Sequence, residues 1–208
     1  MRRSRSRETI SSWAACSIAA LALLAGCSEA DEAQETRFAS LLRAEAGVLR
    51  STHSLPYRFE ASGPYTLTDV SDRQDMFNGV PYNISRAAFI SEDAAVMVHA
   101  ETVADKSGAS NYDELPLADW PAPGFRSEGS VCIVLSDADV EGEADPEWIS
   151  DNVFDVVGAL SFGQYFLSSP DYNDELVVSL FVRVPSCGQG PGEEALEGLR
   201  AEFSARRL

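Results

Sequence analysis

The sequence predicts an α+β fold: a single compact domain with a mainly antiparallel sheet of about five to six strands and three flanking helices. Three observations carry this expectation. The apolar patterns run in the order helix, strands, strands, helix, strand, helix, which lacks the regular alternation of a doubly wound parallel sheet. The runs Val131 to Leu135 and Leu176 to Val184, the latter broken only by Ser179 and Arg183, are apolar on both faces, as in covered central strands. Asp145-Pro146-Glu147 has the form of a helix start, with an N-cap, a first-turn proline and an early carboxylate.

In chain order, Phe38, Leu41, Leu42 and Leu49 fall on neighbouring helical positions, so a first helix is expected over about residues 35 to 50. It should stop before Pro56, because the residue preceding a proline avoids the helical region. Tyr57 to Ala61 and Tyr65 to Val70 read as a hairpin around Ser62-Gly63-Pro64. Residues 71 to 85 read as loop, and Arg86 to Ile90 with Ala94 to Val103 as two strands around Ser91-Glu92-Asp93.

Ala104 to Ser127 has no clean period and contains Pro116, Trp120, Pro121 and Pro123. Loops of this length in compact domains are functional or disordered. Its Tyr112, Trp120 and Phe125 suit a strap that plugs the core edge, with a lid over a ligand as the alternative. Val131 to Leu135 follows as a central strand. Ile149, Val153, Val156, Val157 and Leu160 make one apolar stripe on the helix that starts at Asp145. After Leu176 to Val184, a last helix over about Gly192 to Arg207 places Glu193 and Glu194 early and Arg206 and Arg207 late, as the helix dipole favours.

Ahead of the domain, Arg2, Arg3, Arg5 and Arg7 precede an apolar run from about Trp13 to Ala25, the layout of a secretory signal. The run ends in Leu24-Ala25-Gly26-Cys27, which resembles the bacterial lipobox. That resemblance to lipoprotein precursors implies diacylglyceryl transfer to the Cys27 thiol, cleavage after Gly26 and acylation of the freed amine. Residues 1-26 are then a signal peptide, 27-36 a lipidated N-terminus and acidic tether, and 37-208 one domain. With ~0.8 kcal/mol for each buried methylene, two or three acyl chains hold a domain on a bilayer durably. Localisation is accordingly expected in a bacterial cell envelope, and Ser28 favours the outer membrane, facing the periplasm, where two membranes exist.

Taking four arginines and Glu8 away from 16 basic and 33 acidic residues leaves 12 and 32, a formal charge of −20. Such a surface repels phosphate backbones, so nucleic acid is excluded as a partner. The expected partners are the membrane, through the anchor, and an envelope protein or small ligand. Of four cysteines, Cys16 leaves with the signal and Cys27 is taken by lipid. Cys132 and Cys187 remain, and in an oxidising compartment they read as one disulfide.

Candidate chemistry is sparse. Asp137, Asp139, Glu141, Glu143 and Asp145 place oxygens at alternate positions around Gly142, which resembles the first half of an EF-hand-type calcium loop. Trp148 stands where the closing glutamate belongs, so a solvated acidic loop is the main reading, and calcium is the one cofactor considered. The histidines are His53 and His99. His99 and Glu101 share one face of a strand and can orient each other as a catalytic pair. No G-x-S-x-G elbow is present. The sequence therefore favours a non-catalytic, membrane-anchored binding or envelope-support domain. The alternatives are an anchored periplasmic enzyme using His99 with a carboxylate, and a calcium-responsive module.

Overall fold

The computed structural model of the chain describes residues 38–141, 144–152, 154–188 and 191–208, with backbone alone at 144–146 and 191–192. These residues belong to one compact unit, Thr36–Leu208. The fold is mostly β, with two antiparallel sheets of four and seven strands. This overturns the expected α+β arrangement of a five- to six-stranded sheet flanked by three helices. Three helices are present among the described residues, but all are short: α1 (Asp137–Val140), α2 (Ala144–Asn152) and α3 (Pro191–Glu202).

The smaller sheet begins where a helix was expected. β1 (Leu42–Glu45) and β2 (Val48–Ser51) form a hairpin through Ala46 and Gly47, both at positive φ (51° and 75°). Two central residues with positive φ give the turn whose twist suits a two-residue hairpin. Leu42 and Leu49 are seven apart, so a helix would put them on one face. The register Leu42↔Ser51 and Ala44↔Leu49 does the same across the hairpin, which makes the spacing ambiguous. β3 (Tyr57–Ala61) joins β2, and β11 (Phe203–Arg207) joins β3. The last helix is therefore cut short, since Phe203 onward pairs with β3 as strand.

The larger sheet runs β4 (Thr66–Leu67), β6 (Val80–Ile90), β7 (Ala94–Val103), β10 (Asp174–Arg183), β9 (Gly158–Ser168), β8 (Ser130–Leu135). β5 (Ser71–Phe77) also pairs with β6, through the turn Asn78-Gly79 at φ 51° and 81°. The expected loop over 71 to 85 is thus a hairpin. Pro81 sits beside the turn at the start of β6, where proline is tolerated. The expected pairing of β3 with β4 does not form, because β4 pairs with the far end of β6. Between β4 and β5, Thr68 N donates to Ala88 O, and Ala88 N donates to the Thr68 hydroxyl, both at 2.9 Å, which closes the break.

β8 is an edge strand, contrary to the central position expected of it, and Val131 and Val134 are 55% and 67% exposed. An unbroken apolar run signals cover on both faces only when neighbours exist on both sides. Its Cys132 forms a disulfide with Cys187, beyond the end of β10, at a Cα–Cα distance of 5.4 Å. β10 is the covered central strand expected of it, between β7 and β9.

The main core lies between the sheets, where Leu49, Phe59, Phe89, Val98, Val178 and Leu180 interlock and α3 adds Leu196 and Leu199. On the opposite face of the larger sheet, Met97 and Phe181 pack under Ile149 of α2, Val156 and Leu160. Of the apolar stripe that predicted one long helix, Ile149, Val156 and Leu160 are buried together, but from helix, loop and strand in turn, and Val153 lies outside the described residues. Gly158, at φ 115°, marks where β9 begins, a conformation that favours glycine. Among the described residues no helix is long and apolar enough to cross a membrane.

Candidate functional site

The strap over residues 104–127 serves both faces of the larger sheet. Arg126 pairs with Phe166, extending the edge of β9 beyond β8. On the inter-sheet side, Phe125 is fully buried against Tyr57, with ring centroids 5.7 Å apart, and Trp120 packs on Tyr165 and donates Nε1–H to Arg200 O at 3.1 Å. On the outer side, Tyr112 stacks on Phe166 at 4.4 Å. Arg126 fixes this turn by donating from Nη1 to Leu115 O at 2.7 Å and to Asp113 O at 3.0 Å. The Tyr172 hydroxyl donates to Asp113 Oδ2 at 2.5 Å. The aromatic residue over the outer face is therefore Tyr112, while Trp120 belongs to the core.

Strand alternation brings polar side chains together beneath Tyr112. In β7, His99 and Glu101 point to the outer face, as does Glu175 in β10, which lies opposite Glu101 in register. All three are buried, at 3%, 7% and 3% exposure. His99 Nδ1 donates to Glu101 Oε1 at 3.0 Å, so the sequence-predicted pair is formed. Glu175 was not singled out in the sequence, because in Leu176 to Val184 it is only the flanking residue of an apolar run. The register with Glu101 is what makes it part of the site.

Burial, followed by the Glu101 carboxylate beside it, pushes the Glu175 carboxyl up to about 8, against a weaker downward pull from Tyr112 and Ser110. Glu175 is thus held neutral at neutral pH. Its Oε2 is buried without a hydrogen-bond partner. The Tyr112 hydroxyl is pushed upward in turn, first by burial and then by Glu175, so it stays protonated. Arg86 faces His99 across β6 and β7, but its guanidinium lies over the Trp148 ring, 4.8 Å from the centroid and toward α2. His53 fixes the backbone here: its Nε2 bonds to Glu175 O at 3.0 Å.

These groups line a cavity of about 360 Å³, walled by Phe77, Asn78, Tyr82, Ala109, Tyr112 and Phe166, with Glu175, Glu101 and His99 within. Beyond the Tyr112 and Phe166 rings lies a second cavity of about 770 Å³, bordered by Glu114, Leu115, Glu128, Val131 and Phe162. The first holds an oriented imidazole, a neutral carboxyl able to donate a hydrogen bond, and aromatic walls. Such an arrangement can bind a small molecule or relay a proton.

The other predicted site residues are placed differently. Asp137 and Asp139 lie in α1, where Asp139 Oδ2 accepts from Ser136 N at 2.8 Å and from the Ser136 hydroxyl at 2.6 Å, a capping box. These bonds hold the Asp139 carboxyl below its ordinary value. Glu141 follows at the C-cap, and Glu143 and the Asp145 side chain lie outside the described residues, as does Cys27. Among the described residues no three His, Cys, Asp or Glu side chains converge as a metal site. Comparison with protein families, curated proteins and solved structures finds no match for the chain.

Proposed function

We propose that the chain is an envelope lipoprotein, anchored through Cys27, whose acidic β domain is a non-catalytic binding module that holds a small ligand in the cavity beneath Tyr112. The observation that supports binding is the cavity itself, where buried polar groups converge between aromatic walls, one carboxyl oxygen without a partner. The support for anchoring is the run of arginines, the apolar segment and Leu24-Ala25-Gly26-Cys27. A strongly acidic surface leaves membrane attachment to the acyl chains.

Anchoring is tested by growing a bacterium that expresses the full chain with labelled palmitate. The expected result is label on the mature protein and none on the Cys27→Ala variant. Equal labelling of both, or of neither, contradicts the anchor.

A further inference from the structure

The two cavities share one chemical character. Neither is lined by an arginine or a lysine, whereas Glu101 and Glu175 stand in the inner one and Asp113, Glu114 and Glu128 in the outer one. Asp113 is held by Arg126 Nη2 at 3.3 Å, and Glu101 by His99. Among the described residues the Glu175 carboxyl is paired with no arginine, lysine or histidine side chain, and its buried Oε2 has no hydrogen-bond partner. A buried carboxyl oxygen left in this state on a cavity wall has hydrogen-bonding capacity for a ligand to use, and aromatic rings beside it suit a cation.

We propose that the cavity takes a small organic cation, its ammonium group donating to Glu175 with Glu101 beside it and its apolar body against Tyr112 and Phe166. The proposal rests on the reading of this cavity as a ligand site and adds the ligand's class. An anion would meet the carboxyl groups of Glu101 and Glu175 there with no arginine or lysine to offset them. A metal ion needs three converging ligands, and among the described residues none so converge. The formal charge of −20 left after removal of residues 1 to 26 concentrates cations near the surface.

Binding is linked to a proton. In the empty cavity Glu175 is neutral; an arriving ammonium favours the carboxylate, and the carboxyl proton passes to solvent. The other groups facing Glu175 are His99 and Glu101 on β7, Tyr82 on β6, and Ser110 and Tyr112 on the strap. Arg86, opposite His99 on the same face, lies over the Trp148 ring, 4.8 Å from its centroid.

The test is a methyl-detected NMR titration of the full chain in non-ionic detergent, observing Ala109 and Val177 on the cavity wall, with butylammonium, 1-butanol and butyrate as probes. Butylammonium should saturate both methyl shifts, with affinity rising about tenfold between about pH 6 and about pH 7 and levelling off above about pH 8. The alcohol should bind about tenfold more weakly or worse, and butyrate not at all. Glu175→Gln should abolish the pH dependence, and the wild-type comparison of the three probes decides the matter if that variant does not fold. Equal binding of 1-butanol and butylammonium overturns the cation while leaving a ligand cavity. Unmoved methyls with every probe overturn both.

Discussion

Replacing Glu175 with glutamine should stabilise the domain at alkaline pH and leave it nearly unchanged in mild acid. The ordinary value for this carboxyl is 4.5, and the fold raises it to about 8. Between those values the folded chain holds a proton that the unfolded chain has lost. The stabilisation this provides is complete below about 4.5 and is lost as the pH rises to about 8. At about 1.4 kcal/mol per pH unit, the loss amounts to about 3–5 kcal/mol. Glutamine has the shape of the protonated acid and no charge to bury beside Glu101. Urea unfolding at about pH 5 should therefore give similar stabilities for the two proteins, and at about pH 9 the variant should be more stable by that amount. A constant difference at both pH values would mean that Glu175 is not held neutral by its surroundings.

The second large effect is expected at the disulfide. Cys132 and Cys187 are 55 residues apart, and closing a loop of that size restricts the unfolded chain enough to contribute about 2–4 kcal/mol. The bond also ties edge strand β8, which pairs on one side with β9 alone, to the segment after β10. The double variant Cys132→Ser with Cys187→Ser should lose that stability in urea unfolding. Hydrogen exchange in Val131 to Leu135 should rise further than in β7, since edge strands open more readily than the centre of a sheet. Unchanged stability with both cysteines removed would contradict the role assigned to the bond.

What was legible in the sequence follows from how local each signal is. β7 and β10 were readable because Ala94 to Val98 and Leu176 to Val182, the latter broken only by Ser179, are apolar runs bounded by turns. The disulfide followed from counting thiols once Cys27 was set aside for lipid. Asn78-Gly79 is a strong local hairpin signal, and Pro81 beside that turn leaves β6 intact. The N-terminal hairpin was not readable from periodicity, because Leu42 and Leu49 share a face in either structure. Ala46-Gly47 was its one turn signal, and a helical pattern placed across it hides a turn.

The site divides in the same way. His99 and Glu101 are two apart on one strand, so their pairing is a local property that the alternation of side chains dictates. Glu175 joins them through the register of β10 against β7, across more than seventy residues of chain, and no local pattern encodes that register. Tyr112 and Trp120 were grouped as one strap. The path of that strap around the edge of β9, which sends Trp120 inward and Tyr112 outward, depends on the bridge between Arg126 and Phe166.

The state of Glu175 is the point on which the account of the cavity turns, and carboxyl-detected carbon NMR reads it directly. In protein labelled at glutamate side chains, the Glu175 resonance is assigned by its absence from Glu175→Gln and followed with pH. The cavity described here predicts a midpoint near 8, well above the ordinary 4.5. A midpoint close to that ordinary value would show a carboxyl in contact with water, and the buried, acid-bearing site beneath Tyr112 would be contradicted.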